Sequence, residues 1–434
     1  MTVSPLLRSN DQCSSAHVRH VRSSRSLFRA TVQRHLARIV DGHIVLREGT
    51  EVRHFGNRAA ELCAEIEVLD ARFYRSVAMG GSLGAAEAFI AGWWRTQDLT
   101  ALLRIFVRAM DAADQMDGGT ARLGLIAARI LHAMRPNTRM GSRRNIHAHY
   151  DLGNEFFQLF LDPTMSYSCG IFEHAGATLQ EASIAKLDRI CRTLALNPDD
   201  HLLEIGTGWG GLALHAAEKY GCRVTTTTIS RRQHELASER VRAAGLADRI
   251  TLLLKDYRDL SGQFDKVVSV EMIEAVGHRN LPSFFRTCGR CLRRDGAMLL
   301  QAITMPDHRY ERYRRSADFI QRYIFPGSCV PSMSAMLRAM SKASTLQVRQ
   351  MTEIGPHYAR TLRLWSEAFV SRLDDLRAMG FTEAFIRCWE YYFSYCEAGF
   401  AERYIGDAHL LLTHCGSRFD AGSVTLCPPP VVDA

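Results

Sequence analysis

The stretch LLEIGTGWGGLALH, residues 202–215, decides the fold. Gly206, Gly208 and Gly211 spell G-x-G-x-x-G between an apolar run and an amphipathic one. Such a turn between strand and helix lets a cofactor approach the backbone, beside a helix N-terminus that favours negative charge. Several cofactors use this geometry. A nicotinamide site needs an acid about 20 residues on, at the end of the second strand, to receive the ribose hydroxyls. That place reads TTTTIS, residues 225–230, and holds no acid. Glu204 stands two residues before the first glycine, where it suits the ammonium end of an amino-acid tail. The third strand ends in KDYRDL (255–260), where Asp256 can accept from an adenine amine and Tyr257 can cover the ring. The pattern favours S-adenosylmethionine over NAD; a purely structural glycine turn is the remaining reading.

Outward from this turn, strands and helices alternate in the order that gives a parallel sheet covered on both faces. HLLEIG, CRVTTTTI, ITLLL, FDKVVSVE and GAMLLQAI supply five strands. After an insertion at 304–332, LQVRQMTE and HLLLTHC supply two more around the helices of 357–403. The expected fold is α/β: a Rossmann-like, seven-stranded class I methyltransferase sheet with a smaller mixed α/β N-terminal domain. In that smaller part HIVLREG (43–49) alternates like a strand, while EVLDARFYRSVAMGG and LGAAEAFIAGWW have helical spacing, with Trp93 and Trp94 as core anchors. RLGLIAARILHAM (122–134) is an amphipathic helix edged with arginine, and RPNTRMGSRRN (135–145) reads as a linker. The domains expected are a basic tail over 1–28, an N-terminal domain over 29–138 and a catalytic domain over 139–434.

The 434 residues exceed one ordinary core. Lys and Arg outnumber Asp and Glu by 54 to 46, a net charge of +8 that suits an anionic surface. Twelve cysteines without a repeating spacing read as reduced thiols, and CGRC at 288–291 lacks the second ligand pair of a zinc site. His147 and His149 are too isolated to hold a metal. No apolar run approaches the roughly 18 residues of a membrane span, so a cytoplasmic protein is expected, held peripherally at the inner face of the cell membrane.

HYDLGNEFF (149–157), YSCGIF (167–172), LLEIGTGWGG, TISRRQ (228–233), DYRDL (256–260), VSVEMIEAVG (268–277) and YIFPG (323–327) closely resemble cyclopropane-fatty-acyl-phospholipid synthases. The resemblance covers roughly 143–415, and GSLGAAEAFIAGWW (81–94) extends it to the N-terminal unit, which it marks as lipid-presenting. It implies methylene transfer from S-adenosylmethionine to a cis double bond of a phospholipid acyl chain. The cofactor contacts it implies are Tyr167, Ser168, Glu204, Gly206, Thr207, Gly208, Gly210, Thr228, Ile229, Ser230, Gln233, Asp256 and Tyr257. Methyl transfer leaves a carbocation, and a base must remove one methyl proton so that the ring closes. The resemblance implies a bicarbonate ion for that step, caged by Cys169, Glu274, Tyr358 and the backbone of Ile303. Gln301 replaces the histidine of that cage; it keeps a donor and an acceptor but cannot relay a proton. Ala275 likewise replaces a histidine. A differently placed base permits a hydride shift and a methylene- or methyl-branched product, an outcome that stays open. Cys396 matches a C-terminal cysteine sometimes given as the active-site residue, although an attacking thiolate has no step in this scheme.

HRYERYRR (308–315) offers Tyr310, Tyr313, Arg312, Arg314 and Arg315 to phosphate headgroups, or else forms a solvated helix face. Arg143, Arg144 and the 122–134 helix point the same way. The expected partners are an unsaturated phospholipid and an anionic membrane surface, with no nucleic acid, since an RNA-binding module is missing; a homodimer is left open. A small-amine N-methyltransferase is the competing enzyme, against which the retained cage residues argue. A non-catalytic binding protein would have lost them.

Overall fold

The computed structural model describes residues 27–116, 152–316 and 318–420. The chain divides into two compact units, Met1–Gly118 and Gly119–Ala434. The expected helix at 122–134, the linker at 135–145 with Arg143 and Arg144, and His147 and His149 lie outside the described residues, as does most of the expected tail.

In the first unit β1 (His43–Glu48), β2 (Glu51–Gly56), β3 (Cys63–Val68) and β4 (Trp94–Arg95) form a sheet in the order β2-β1-β3-β4. Ile44, Leu46, Ile66 and Val68 alternate along β1 and β3 and are buried, as a sheet covered on one face requires. Among the described residues three helices accompany it: α1 (27–36), α2 (Arg72–Ile90) and α3 (Leu99–Met116). The two helical stretches read from sequence are one element, α2, broken at Gly81, whose φ of 57° and ψ of −135° only glycine adopts without strain. Glu67 and Val68 belong to β3 rather than to the helix. Trp94 is buried and donates from Nε1 to Ala85 O at 2.9 Å. Trp93 is not a core anchor: it stays half-buried, with the Arg72 guanidinium 4.6 Å from its ring centroid.

All seven expected strands form in the second unit: β5 (His201–Ile205), β6 (Arg223–Thr228), β7 (Ile250–Leu254), β8 (Phe264–Val270), β9 (Leu292–Thr304), β10 (Leu346–Glu353) and β11 (Gly406–His414). Their order is β10-β11-β9-β8-β5-β6-β7, with β11 antiparallel to both of its neighbours. The apolar runs are continuous because both faces are covered. Leu203, Val267, Leu300, Leu410 and Leu412 enter one core, while Leu202, Val268, Leu299 and Leu411 enter the other. The first core takes α8 (Leu281–Cys291) and α10 (Met333–Ala343); the second takes α5 (Leu179–Thr193), α6 (Gly211–Tyr220) and α7 (Arg231–Ala243). Further α-helices among the described residues are α4 (Asn154–Gln158), α9 (Asp307–Tyr313), α11 (Gly355–Ser371), α12 (Leu373–Ala378) and α13 (Glu383–Ala401). Consecutive strands β5, β6 and β7 run to one side and β8 returns to the other, so the order reverses between β5 and β8. Ligands of open α/β sheets bind beyond the carboxyl ends of the strands at such a point.

Candidate functional site

The glycine turn leaves β5 at this reversal. Gly206, Gly208 and Gly210 have φ of 105°, 52° and 86°, which explains why side chains are missing there. A Cβ on Gly206 would also meet Met272 Cγ at 3.2 Å. The turn is fastened from below: the N–H groups of Gly206 and Thr207 donate to Thr227 O at 3.0 Å, and the Thr207 and Thr226 hydroxyls are 2.6 Å apart. Glu204 is buried, its Oε2 has no hydrogen-bond partner, and burial pushes its carboxyl up to about 8. A cationic amino-acid tail would supply the missing partner, so the turn and this orphaned oxygen fit S-adenosylmethionine.

The other expected cofactor residues flank the turn. Thr228 donates from its hydroxyl to Gln233 Oε1 at 2.9 Å, and Ser230 caps α7 by accepting from Gln233 N. Ile229 lies between them. Asp256 is buried and clasped by Arg258 through Nε at 2.8 Å and Nη2 at 2.7 Å, while Tyr257 packs edge-on against Phe284. Tyr167 donates to Tyr392 Oη at 2.9 Å, and Ser168 accepts from the buried Lys186 at 2.8 Å.

Beside the turn, five of the six expected catalytic residues converge. Cys169 follows Tyr167 in a loop, Glu274 sits on a one-turn helix after β8, Gln301 and Ile303 lie on β9, and Tyr358 opens α11. Ile303 N donates to Glu274 Oε1 at 2.7 Å. The Cys169 N–H, the Gln301 side-chain amide and the Tyr358 hydroxyl all turn to a residue the sequence did not single out. Cys169 N donates to Glu271 Oε1 at 2.9 Å, Gln301 Nε2 to the same oxygen at 2.6 Å, and Tyr358 Oη to Glu271 Oε2 at 2.6 Å. Cys169 thus acts through its backbone; its buried thiol donates to Gly170 O and Ile354 O and is pushed well up by burial.

Strand register brings in two further unanticipated groups. In the antiparallel β9–β11 pair Gln301 faces His409 and Ile303 faces Asp407. Gln301 Nε2 also donates to Asp407 Oδ2 at 3.2 Å, and Gln301 Oε1 lies 2.9 Å from His409 Nε2. Because the amide nitrogen faces two carboxylates, its oxygen is the acceptor, and His409 carries the proton on Nε2. Burial pushes His409 down to about 3, so it is neutral. Burial raises all three carboxyls: Glu274 reaches about 8, with Glu271 adding repulsion, and Asp407 is raised far above the carboxylate range by burial and then by Glu271. Burial also raises Glu271, but the Cys169, Gln301 and Tyr358 donors converge on its two oxygens and the Lys186 charge opposes the rise, an arrangement that favours its charged form over those of its neighbours. Two polar residues spaced by two in the apolar strand GDAHLLLTH were the signal for Asp407 and His409; nothing in one dimension marked Lys186.

Cys396 lies apart on α13. No hydrogen bond among the described residues ties it to the cluster, and burial pushes its thiol up. The CGRC thiols are free, and both are buried at the end of α8. The headgroup reading of 308–315 needs correction for its two tyrosines, and two of its arginines pair on the surface with Glu311. Tyr310 is buried and lies 2.7 Å from His278 Nδ1, Tyr313 Oη accepts from Val330 N, and Arg314 and Arg315 both pair with Glu311. Among the described residues no three His, Cys, Asp or Glu side chains group as a metal site, and no helix is long and apolar enough to cross a membrane.

Residues 137–410 match the family described as mycolic acid cyclopropane synthetase. Tuberculostearic acid methyltransferase UfaA1 of Mycobacterium tuberculosis is 40% identical over 76% of this chain and 78% of its own. Cyclopropane-fatty-acyl-phospholipid synthase of Escherichia coli is 35% identical over 78% of this chain and 85% of its own. The crystal structure of mycolic acid cyclopropane synthase CmaA1 complexed with SAH and CTAB, 34% identical, superimposes with a TM-score of 0.58, covering 62% of this chain and 97% of that one. The match extends over the glycine turn and the buried cluster alike, and the chain belongs to the mycolic acid cyclopropane synthetase family of S-adenosylmethionine-dependent methyltransferases.

Proposed function

We propose that the protein methylates the cis double bond of unsaturated acyl chains in membrane phospholipids and closes the product to a cyclopropane. The observation that carries this is a buried carboxyl cluster, clasped by Cys169 N, Gln301 and Tyr358, next to a glycine turn with an acid whose Oε2 has no partner. An amine methyltransferase needs a carboxylate only to free the lone pair before transfer, whereas a carbon nucleophile that becomes a cation must lose a proton inside the protein after it. Bound S-adenosylmethionine supplies an electrophilic methyl group. The chain's residues hold the olefin against it, and such alignment is worth up to about 7–11 kcal/mol in favourable cases. Tyr358, stacked on Phe400 at 4.4 Å and edge-on to Trp365, presents electron-rich rings beside the cluster, which suits a carbocation. Trp365 is fully buried and continues into an aromatic core through Phe160, which packs edge-on against it, so that side of Tyr358 is closed to water. The resemblance gives the proton to bicarbonate; the donors that would orient that ion at Cys169 and Tyr358 lie on Glu271.

One relative supports a second outcome, a branched chain formed after a hydride shift: UfaA1 is named a tuberculostearic acid methyltransferase. Peripheral attachment to an anionic membrane is supported by the net charge of +8. The test is turnover of purified protein on vesicles of monounsaturated phospholipid with S-adenosylmethionine. Gas chromatography with mass spectrometry is expected to show chains heavier by one CH2, and fragmentation separates ring from branch. Untouched chains, with methylation of a water-soluble amine, would overturn the proposal.

A further inference from the structure

Glu271 follows β8 with a φ of 46°, a left-handed conformation that a side-chain-bearing residue rarely adopts and that marks a position fixed by its surroundings. Gln301 holds it twice: Glu271 N donates to Gln301 O at 2.9 Å, and Gln301 Nε2 returns the bond to Glu271 Oε1. With Cys169 N and Tyr358 Oη, the carboxylate takes three hydrogen bonds from the atoms that would otherwise orient a captured anion. Of the three carboxyls in the cluster, Glu274 and Asp407 are 8% and 0% exposed, while Glu271 is the least buried.

We propose that the Glu271 carboxylate is the built-in base of this enzyme, standing where a bicarbonate ion would be caged and taking the proton released after methyl transfer. The proposal rests on acyl-chain methylation as the reaction. The C–H bond of the transferred methyl group breaks, its proton forms an O–H bond on Glu271, and its electron pair closes onto the cationic carbon as the third ring bond. After a hydride shift the same acceptance leaves a C=C bond instead. Glu271 returns its proton to water as product leaves, one per turnover. Asp407 and Glu274 are less suited to this role because they are more deeply buried and burial pushes both upward, away from the charged form a base needs. Gln301 contributes a donor that steadies the base but carries no proton itself.

The test compares the native enzyme, Glu271→Gly and Glu271→Gln in buffer stripped of carbon dioxide and in buffer with added bicarbonate. Native turnover is expected to change by less than about twofold between the two buffers. Glu271→Gly, which opens the cage and suits the backbone conformation, is expected to fall by about a hundredfold or more and to regain about tenfold or more with bicarbonate. Glu271→Gln, whose amide fills the cage without basicity, stays inactive in both. Unchanged S-adenosylhomocysteine affinity by calorimetry shows that each variant is folded. Isotope-labelled bicarbonate followed by NMR gives a readout independent of lipid: line broadening by Glu271→Gly and none by native protein. If native protein methylates no acyl chain, the reaction assigned above fails, and the NMR arm still decides who fills the cage. A native enzyme that stalls without carbon dioxide, an active Glu271→Gln, or bicarbonate binding by native protein equal to that of Glu271→Gly would overturn the proposal.

Discussion

Tyr358→Phe removes one oxygen and leaves the ring stacked on Phe400, so it isolates the hydrogen bond to Glu271 Oε2 at 2.6 Å. A bond to a charged acceptor is worth about 1.5–3 kcal/mol. Two consequences follow from that energy. The carboxylate loses a donor that opposes the effect of its burial, so its pKa rises further. It also loses a fixed orientation, so turnover near neutral pH falls by roughly ten- to a hundredfold. The sign is settled by chemistry: a base works when ionised, so activity rises with pH through the pKa of Glu271, and the variant shifts this acidic limb to higher pH. Turnover on monounsaturated vesicles between pH 6 and about 9 reads the shift. Calorimetry with S-adenosylhomocysteine reads binding at the glycine turn, which Tyr358 does not help to build, and should show native affinity. A uniform loss at every pH, or a loss of affinity matching the loss of rate, would refute the reasoning.

Glu274→Gln is expected to keep cofactor affinity, because Ile303 N still finds an acceptor. It should also change how stability depends on pH. Glu274 is pushed up to about 8, so the fold retains a proton that the unfolded chain has released, and stability falls as pH rises from the ordinary carboxylate range to about 8. The thermal midpoint of the glutamine variant should fall less steeply over that window; an unchanged slope would mean Glu274 is not buried as described. Cys169→Ala and Cys396→Ala should each retain turnover within about tenfold, since Cys169 acts through its N–H and both thiols are pushed up by burial. Complete inactivation by Cys396→Ala would reinstate it as an active-site residue. Vesicle sedimentation should show binding to anionic lipid that weakens with salt, and indifference to salt would remove the electrostatic surface from the account.

The sheet was legible because its core is doubly covered. Runs such as LLEI and AMLLQAI bury consecutive residues on opposite faces, and that leaves a continuous apolar signal that a one-sided sheet lacks. Where the signal alternated, reading was harder: Glu67 and Val68 end a strand, yet their spacing runs on into the periodicity of α2. HRYERYRR shows the opposite error. Tyr310 and Tyr313, three apart, face inward on α9 while Glu311 absorbs Arg314 and Arg315, so a charge-rich string conceals a packed face.

The two halves of the site differ in legibility for a reason of the same kind. The cofactor half depends on local backbone conformation, and local conformation is written in glycines. The anionic half depends on strand register and on one left-handed glutamate, neither of which has a local mark. Gln301 connects them. Read alone, it is a histidine lost from a cage. In place, it gives one planar end whose nitrogen serves Glu271 and Asp407 and whose oxygen takes the proton of His409 across the β9–β11 pair. A ring nitrogen at that position offers a single donor or acceptor and cannot satisfy two carboxyls and an imidazole at once. The glutamine at 301 and the glutamate at 271 therefore require each other, and replacing either alone leaves a buried polar group without its partner.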